Sequence, residues 1–375
     1  MKQQPYSYFF PHWFGKQHKF EKHQKDVQRF FEYSRGQGYR PYHEEFKGFT
    51  RFRYDGMSLS EQLKREWVYD EFVAWGEWNH GGRNIVSFTP ELLDLLAYTD
   101  VDDVELSRLQ APYPSFYLSL RSLNIPFIEG AAEIVDGVYI EQFAMREISG
   151  KAGDEHGLRI ILAGDYGPLQ QQYGHQLGFL YQQSIRHFSL LPYNQQGIDH
   201  TVGSTIGYQK EHFAWDVRHV GISQGEALIG IYNSLIDRVL PAVINCLLYL
   251  NWSGLEGPER DVKQVYPPDL PVHLMDRLRS ATTKHRKEIA QKQIDDSGYT
   301  RINYVGERFS GQQTPVSKSG DALSGKVTPH WRRGHWRNQR SGTGLLEVRY
   351  IWIKPTIVNK EIGLPPKGHI YTVDN

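Results

Sequence analysis

The chain has 375 residues, 39% of them hydrophobic and 23% charged, with equal numbers of acidic and basic side chains. That length and balance predict a folded protein with a sizeable core, in one large domain or two closely joined, and exclude a disordered or low-complexity chain. A single cysteine excludes a disulfide framework and a multi-cysteine zinc site.

No signal-type apolar leader and no uncharged apolar stretch of the ~20 residues that a bilayer span needs is seen. The expectation is a cytoplasmic protein with no membrane partner. Charge is unevenly spread. Residues 51–165 hold 10 Lys and Arg against 20 Asp and Glu, whereas residues 271–340 hold 14 against 6. Either the basic half faces nucleic acid, or two solvated surfaces attract each other.

Residues 5–15 form an aromatic leader (Tyr6, Tyr8, Phe9, Phe10, His12, Trp13, Phe14). It reads as an arm packed on the body, or as an arm that contacts a ligand. Helical periodicity follows over 16–34 and again over 60–79, where Leu63, Trp67, Phe72, Trp75 and Trp78 lie on one stripe. Thr89-Pro90-Glu91 predicts a helix start, with Thr89 as cap and Pro90 in the first turn. Asp100, Asp102, Asp103 and Glu105 lack the glycine and spacing of a calcium loop and read as a cap and a solvated turn.

From Ser115 to Leu162 the pattern changes to strands, an antiparallel meander with Asp136-Gly137 as a hairpin turn. Glu147 and Lys151 have nuclease-like residue types but neither the spacing nor an upstream aspartate. Residues 164–222, rich in Gly and Gln, show no periodicity from which to place elements. Ser223-Gln224-Gly225-Glu226 is a capping box that opens the most hydrophobic helix, to about Leu250, with Pro241 expected to kink or break it. Cys246 falls on its apolar part. A basic helix is predicted over 271–293 and a strand over 300–309.

The densest stretch comes last. Thr328 to Arg340 collects His330, Trp331, Arg332, Arg333, His335, Trp336, Arg337 and Arg340 in 13 residues, and an alternating strand runs from Leu345 to Ile353. Three readings compete. The arginines hold phosphates or carboxylates while Trp331 and Trp336 stack on bases or fill a partner's pocket. Alternatively, His330 and His335 serve as base and acid of a metal-independent ribonuclease. In the third, the rings pack at the end of the last strand. No P-loop, GxSxG, HExxH or Rossmann glycine pattern occurs. No metal or other cofactor is expected, and nothing sets an oligomeric state.

Pro329-His330-x-Arg332-Arg333-Gly334-His335-Trp336-Arg337, followed by Trp352-x-x-Pro355 and Val358-Asn359, resembles the C-terminal signature of a family found on phages and plasmids. Leu92-Leu93, Thr99-Asp100, Leu109-x-x-Pro112-Tyr113, Phe116-Tyr117-Leu118 and Asn245-x-Leu247-Leu248-Tyr249-Leu250 add two more blocks. The family is the second named one of the type V-A anti-CRISPR proteins. The resemblance implies a mobile-element protein that disables a type V-A Cas nuclease by blocking its production. It would do so by recognising the nascent effector polypeptide and triggering loss of the messenger RNA.

The expected fold is α+β, an antiparallel sheet packed on the long buried helix. Residues 1–110 are expected to form an N-terminal aromatic arm and helical section, and 111–375 an α+β core in which the C-terminal strands join the meander. The leading function is a binding inhibitor that uses Trp331, Arg332, Arg333, His335, Trp336, Arg337 and Arg340 on a nascent Cas effector polypeptide or on RNA. The alternative is a ribonuclease using His330 and His335, or a general RNA-binding protein.

Overall fold

The computed structural model describes residues 9–17, 73–144, 156–164, 187–190, 200–220, 225–251, 262–309 and 330–358. The helix predicted over 16–34 (but for its first two residues), most of the one over 60–79, Glu147, Lys151, the Ser223 end of the capping box and the tail from Lys360 lie outside these residues.

A seven-stranded sheet is built around β1 (Ile85–Phe88), which runs parallel to β3 (Ser115–Ser119) on one side and β8 (Ile302–Val305) on the other. Beyond β3 the predicted meander is present: β4 (Gly137–Ala144), β5 (His156–Ala163) and β6 (His187–Leu190) follow in antiparallel order. β7 (Val262–Val265) pairs antiparallel with β8 and closes the far edge. The chain is thus α+β, a mixed sheet packed against helices, with the parallel joins of this sheet confined to β1.

All five residues of β3 are buried, which requires cover on both faces of the sheet. On one face, Phe116 and Leu118 join the main core with Val86, Val138 and Ile140. Tyr117 points the other way, into a second cluster with Ile85, Tyr139, Ile161 and Ile302. That second face is roofed by α1 (Phe10–Gln17) and α2 (residues 73–80), through Phe10, Phe14, Trp75 and Trp78. The described part of the aromatic leader is therefore an arm packed on the body. Its start is pinned by the Phe10 amide, which donates to the Asp136 carboxylate at 3.2 Å.

This use of Asp136 explains why the predicted Asp-Gly hairpin does not form. Asp136 is fully buried and also accepts a hydrogen bond from the Tyr117 hydroxyl. Gly137 opens β4 so close to β3 that an added Cβ would lie 2.3 Å from the Leu118 carbonyl. The glycine serves a close approach between strands, not a turn.

α3 (Pro90–Ala97) starts as the sequence predicts, with the Leu92 amide donating to the Thr89 hydroxyl at 3.4 Å. α4 (Val202–Val220) was not legible; it packs on α5 (Gly225–Asn251), where Phe213 and Tyr232 stack at 4.1 Å. α5 is long and apolar enough to cross a membrane by length and composition, yet it lies in the main core of the protein. It continues through Pro241 without a break, and Cys246 is fully buried on it. The basic helix predicted over 271–293 is two helices, α6 (Val272–Ser280) and α7 (Lys284–Asp296), parted at Ala281. Thr283 caps the second, accepting from the Arg286 amide at 3.3 Å, and a cap signal within a predicted helix marks such a break.

The C-terminal strands depart from expectation most. They do not join the meander. β10 (Gly334–Ser341) and β11 (Glu347–Ile353) form an antiparallel hairpin whose third strand is β2 (Thr99–Asp100), and β9 (His330–Arg332) pairs with β12 (Thr356–Val358).

Candidate functional site

The dense C-terminal stretch is a hairpin with two unlike faces, because side chains alternate along each strand. Trp336 and Trp352 are cross-strand partners on the inner face, with rings stacked at 6.3 Å. Arg337 and His335, one position on either side of Trp336, point to the outer face.

The inner face is held by a closed set of hydrogen bonds. The Trp336 indole N–H donates to the Asn245 side-chain oxygen at 2.7 Å, and the Asn245 amide donates to the Thr99 carbonyl at 2.8 Å. The Trp352 indole N–H donates to the Thr99 hydroxyl at 3.0 Å, which itself donates to the Leu95 carbonyl at 3.0 Å. Asn245 sits fully buried in the most apolar helix of the chain. Such a carboxamide is tolerated only when its donors and acceptors are matched. Tyr249, one turn along α5, meets Trp352 edge-on at 5.6 Å, and its hydroxyl accepts from Arg308 at 3.0 Å.

Gly334 allows the hairpin to come this close. Its amide donates to the Tyr98 carbonyl, and an added Cβ would lie 2.6 Å from the Thr99 hydroxyl and 2.8 Å from the Pro355 ring. Thr99, Asn245, Gly334, Trp336 and Trp352 come from all three sequence blocks that carry the family resemblance. The blocks meet at one buried polar node.

The predicted site residues divide accordingly. Trp336 is half-buried and engaged inside the protein. Arg332, Arg333, Arg337 and Arg340 are exposed. His335 is half-buried, its backbone paired with Ile353 on one side and Asp100 on the other. The backbones of His330 and Trp331 pair with Val358 and Ile357 in β9, while their side chains lie outside the described residues. Arg337 donates to Gln339 at 2.9 Å. Arg333 lies near Asp102, whose carboxyl is held above the usual range by burial and by the neighbouring Asp100 and Asp103, with Arg333 opposing that rise. Part of the basic stretch is thus answered by the acidic half of the same chain. No group of three or more metal-ligating side chains occurs among the described residues.

Sequence reasoning missed the far end of the hairpin. Leu345, Leu346 and Val348 are exposed there by 57%, 86% and 45%. The strand alternation was visible; that the turn would carry its apolar residues into solvent was not.

The AcrVA2-like family, described as the anti-CRISPR type V subtype A2 family, matches residues 86–360. The chain belongs to this family, and an anti-CRISPR role comes with that membership. Among solved structures, the crystal structure of AcrVA2 is similar, with 16% identity and a TM-score of 0.41 over 92% of this chain and 96% of that one. No curated protein matches the chain.

Proposed function

We propose that this member of the AcrVA2-like family acts on a type V-A Cas effector by binding rather than by cleavage. It engages the effector as it is being made, as nascent polypeptide or on its message, so that less effector accumulates in the cytoplasm. The exposed Arg332, Arg333, Arg337 and Arg340, on and between β9 and β10, form the contact surface, together with His335.

One observation supports this reading above the others. Arg337 and Arg340 stand exposed on a hairpin anchored in the core, and Arg332 and Arg333 stand exposed just before it. Packing explains the tryptophans. Neither packing nor the proximity of Arg333 to Asp102 explains the other three solvent-facing guanidinium groups, which suit bidentate recognition of carboxylate or phosphate.

Co-expression with a type V-A nuclease tests it. The wild-type protein should lower the nuclease's protein and transcript levels, and the double variant Arg337→Glu/Arg340→Glu should restore both. Unchanged levels with the wild-type protein would overturn the proposal. So would cleavage of RNA by the purified protein in EDTA that is abolished by His335→Ala.

A further inference from the structure

We infer that the tip of the β10–β11 hairpin is an insertion knob, and that it docks in an apolar pocket rimmed by carboxylates on a polypeptide. The inference rests on the binding role proposed above and assigns the partner's chemistry at that site.

The tip carries Leu345, Leu346 and Val348, all exposed, with Leu346 the most exposed large apolar residue among the described residues. A fold gains nothing from holding three such side chains in water. The backbone is also held in an unfavourable way. Leu345 has φ of 57°, in the left-handed region where a Cβ crowds the following carbonyl. Exposure and strain at one turn, neither needed by the core, mark a contact surface.

Charge selects the partner. Arg340 lies directly across the strands from Val348 and makes no ion pair among the described residues. A nucleic acid would satisfy this guanidinium group but would bring its charged backbone against aliphatic side chains that cannot stack on bases. A polypeptide pocket with apolar walls and an acidic rim answers both parts of the tip.

The test measures binding of the full chain to a type V-A effector, presented as ribosome-bound nascent chains and as the full-length protein. Leu346→Asp and Arg340→Glu should each weaken binding by about tenfold or more. Tyr208→Ser, on the exposed face of α4, should leave it unchanged. A thermal melt of Leu346→Asp equal to that of the wild type shows that any loss is not unfolding. If the wild type binds and Leu346→Asp binds equally well, the knob is overturned and the binding role stands. If the wild type binds the effector in neither form, both are overturned. Retention of effector mRNA that is lost in Arg340→Glu but kept in Leu346→Asp would overturn the knob in favour of a nucleic acid.

Discussion

The indole of Trp336 donates to the side chain of Asn245, 91 residues away in sequence, at 2.7 Å, and this bond fixes the C-terminal hairpin to the central helix. Asn245 has no apolar substitute here, because it also satisfies the Thr99 carbonyl. Asn245→Ala should lower stability by about 2–4 kcal/mol, since it leaves the Thr99 carbonyl and the half-buried Trp336 indole without their partner. Trp336→Phe should cost about 1–3 kcal/mol. The double variant should lose less than the sum, and urea unfolding of the four proteins measures that coupling.

Gly334→Ala should destabilise by about 1–3 kcal/mol, the usual range for overpacking. The methyl would meet the Thr99 hydroxyl, the Pro355 ring and the Ile353 carbonyl, each at 2.9 Å or less. Two of these are ring or backbone atoms that cannot swing aside. Urea unfolding is again the measurement, and a wild-type midpoint would contradict the close-approach role.

Leu345→Gly should behave in the opposite sense. Glycine adopts the left-handed conformation without the Cβ clash, so stability should hold or rise by about 1 kcal/mol. The same variant should bind the effector polypeptide more weakly. A gain in unfolding midpoint together with a loss of binding is the expected pair of readings.

His12 gives the protein an acid-side sensitivity. It is buried within the N-terminal arm, on α1, where its Nε2 accepts from the Thr300 amide at 3.3 Å. Burial, with lesser contributions from Lys16 and Arg83, lowers its pKa to about 3. The folded state thus keeps His12 neutral, whereas the unfolded chain protonates it near pH 6.5. Its contribution is present in full above pH 6.5 and is lost as pH falls from 6.5 toward 3, at no more than about 1.4 kcal/mol per pH unit. Stability measured from pH 7 to 4 should fall, and His12→Phe should flatten that slope.

Much of the architecture was legible in the sequence because it follows local rules. The Thr89-Pro90 helix start, the apolar length of α5 and the alternation of β4 and β5 each depend on neighbouring residues. What was not legible depended on distant ones. Asp136-Gly137 has the composition of a turn, but the Phe10 amide and the Tyr117 hydroxyl recruit the aspartate elsewhere. α4 turns Tyr208 and Trp215 to solvent, 66% and 60% exposed, which erases the apolar stripe that signals a helix. At the candidate site, the density of arginine and tryptophan drew attention to this hairpin. The division between its faces needed Asn245 and Thr99, whose positions no spacing in the chain reveals.

The convergence of three sequence blocks on Thr99, Asn245 and the two tryptophans separates kinship from specificity. A change at the node acts on the buried anchor, whereas Arg340 and Leu346 are exposed and lie outside it. On the binding role proposed above, the tip can change its target without disturbing the anchor that holds the hairpin to the core.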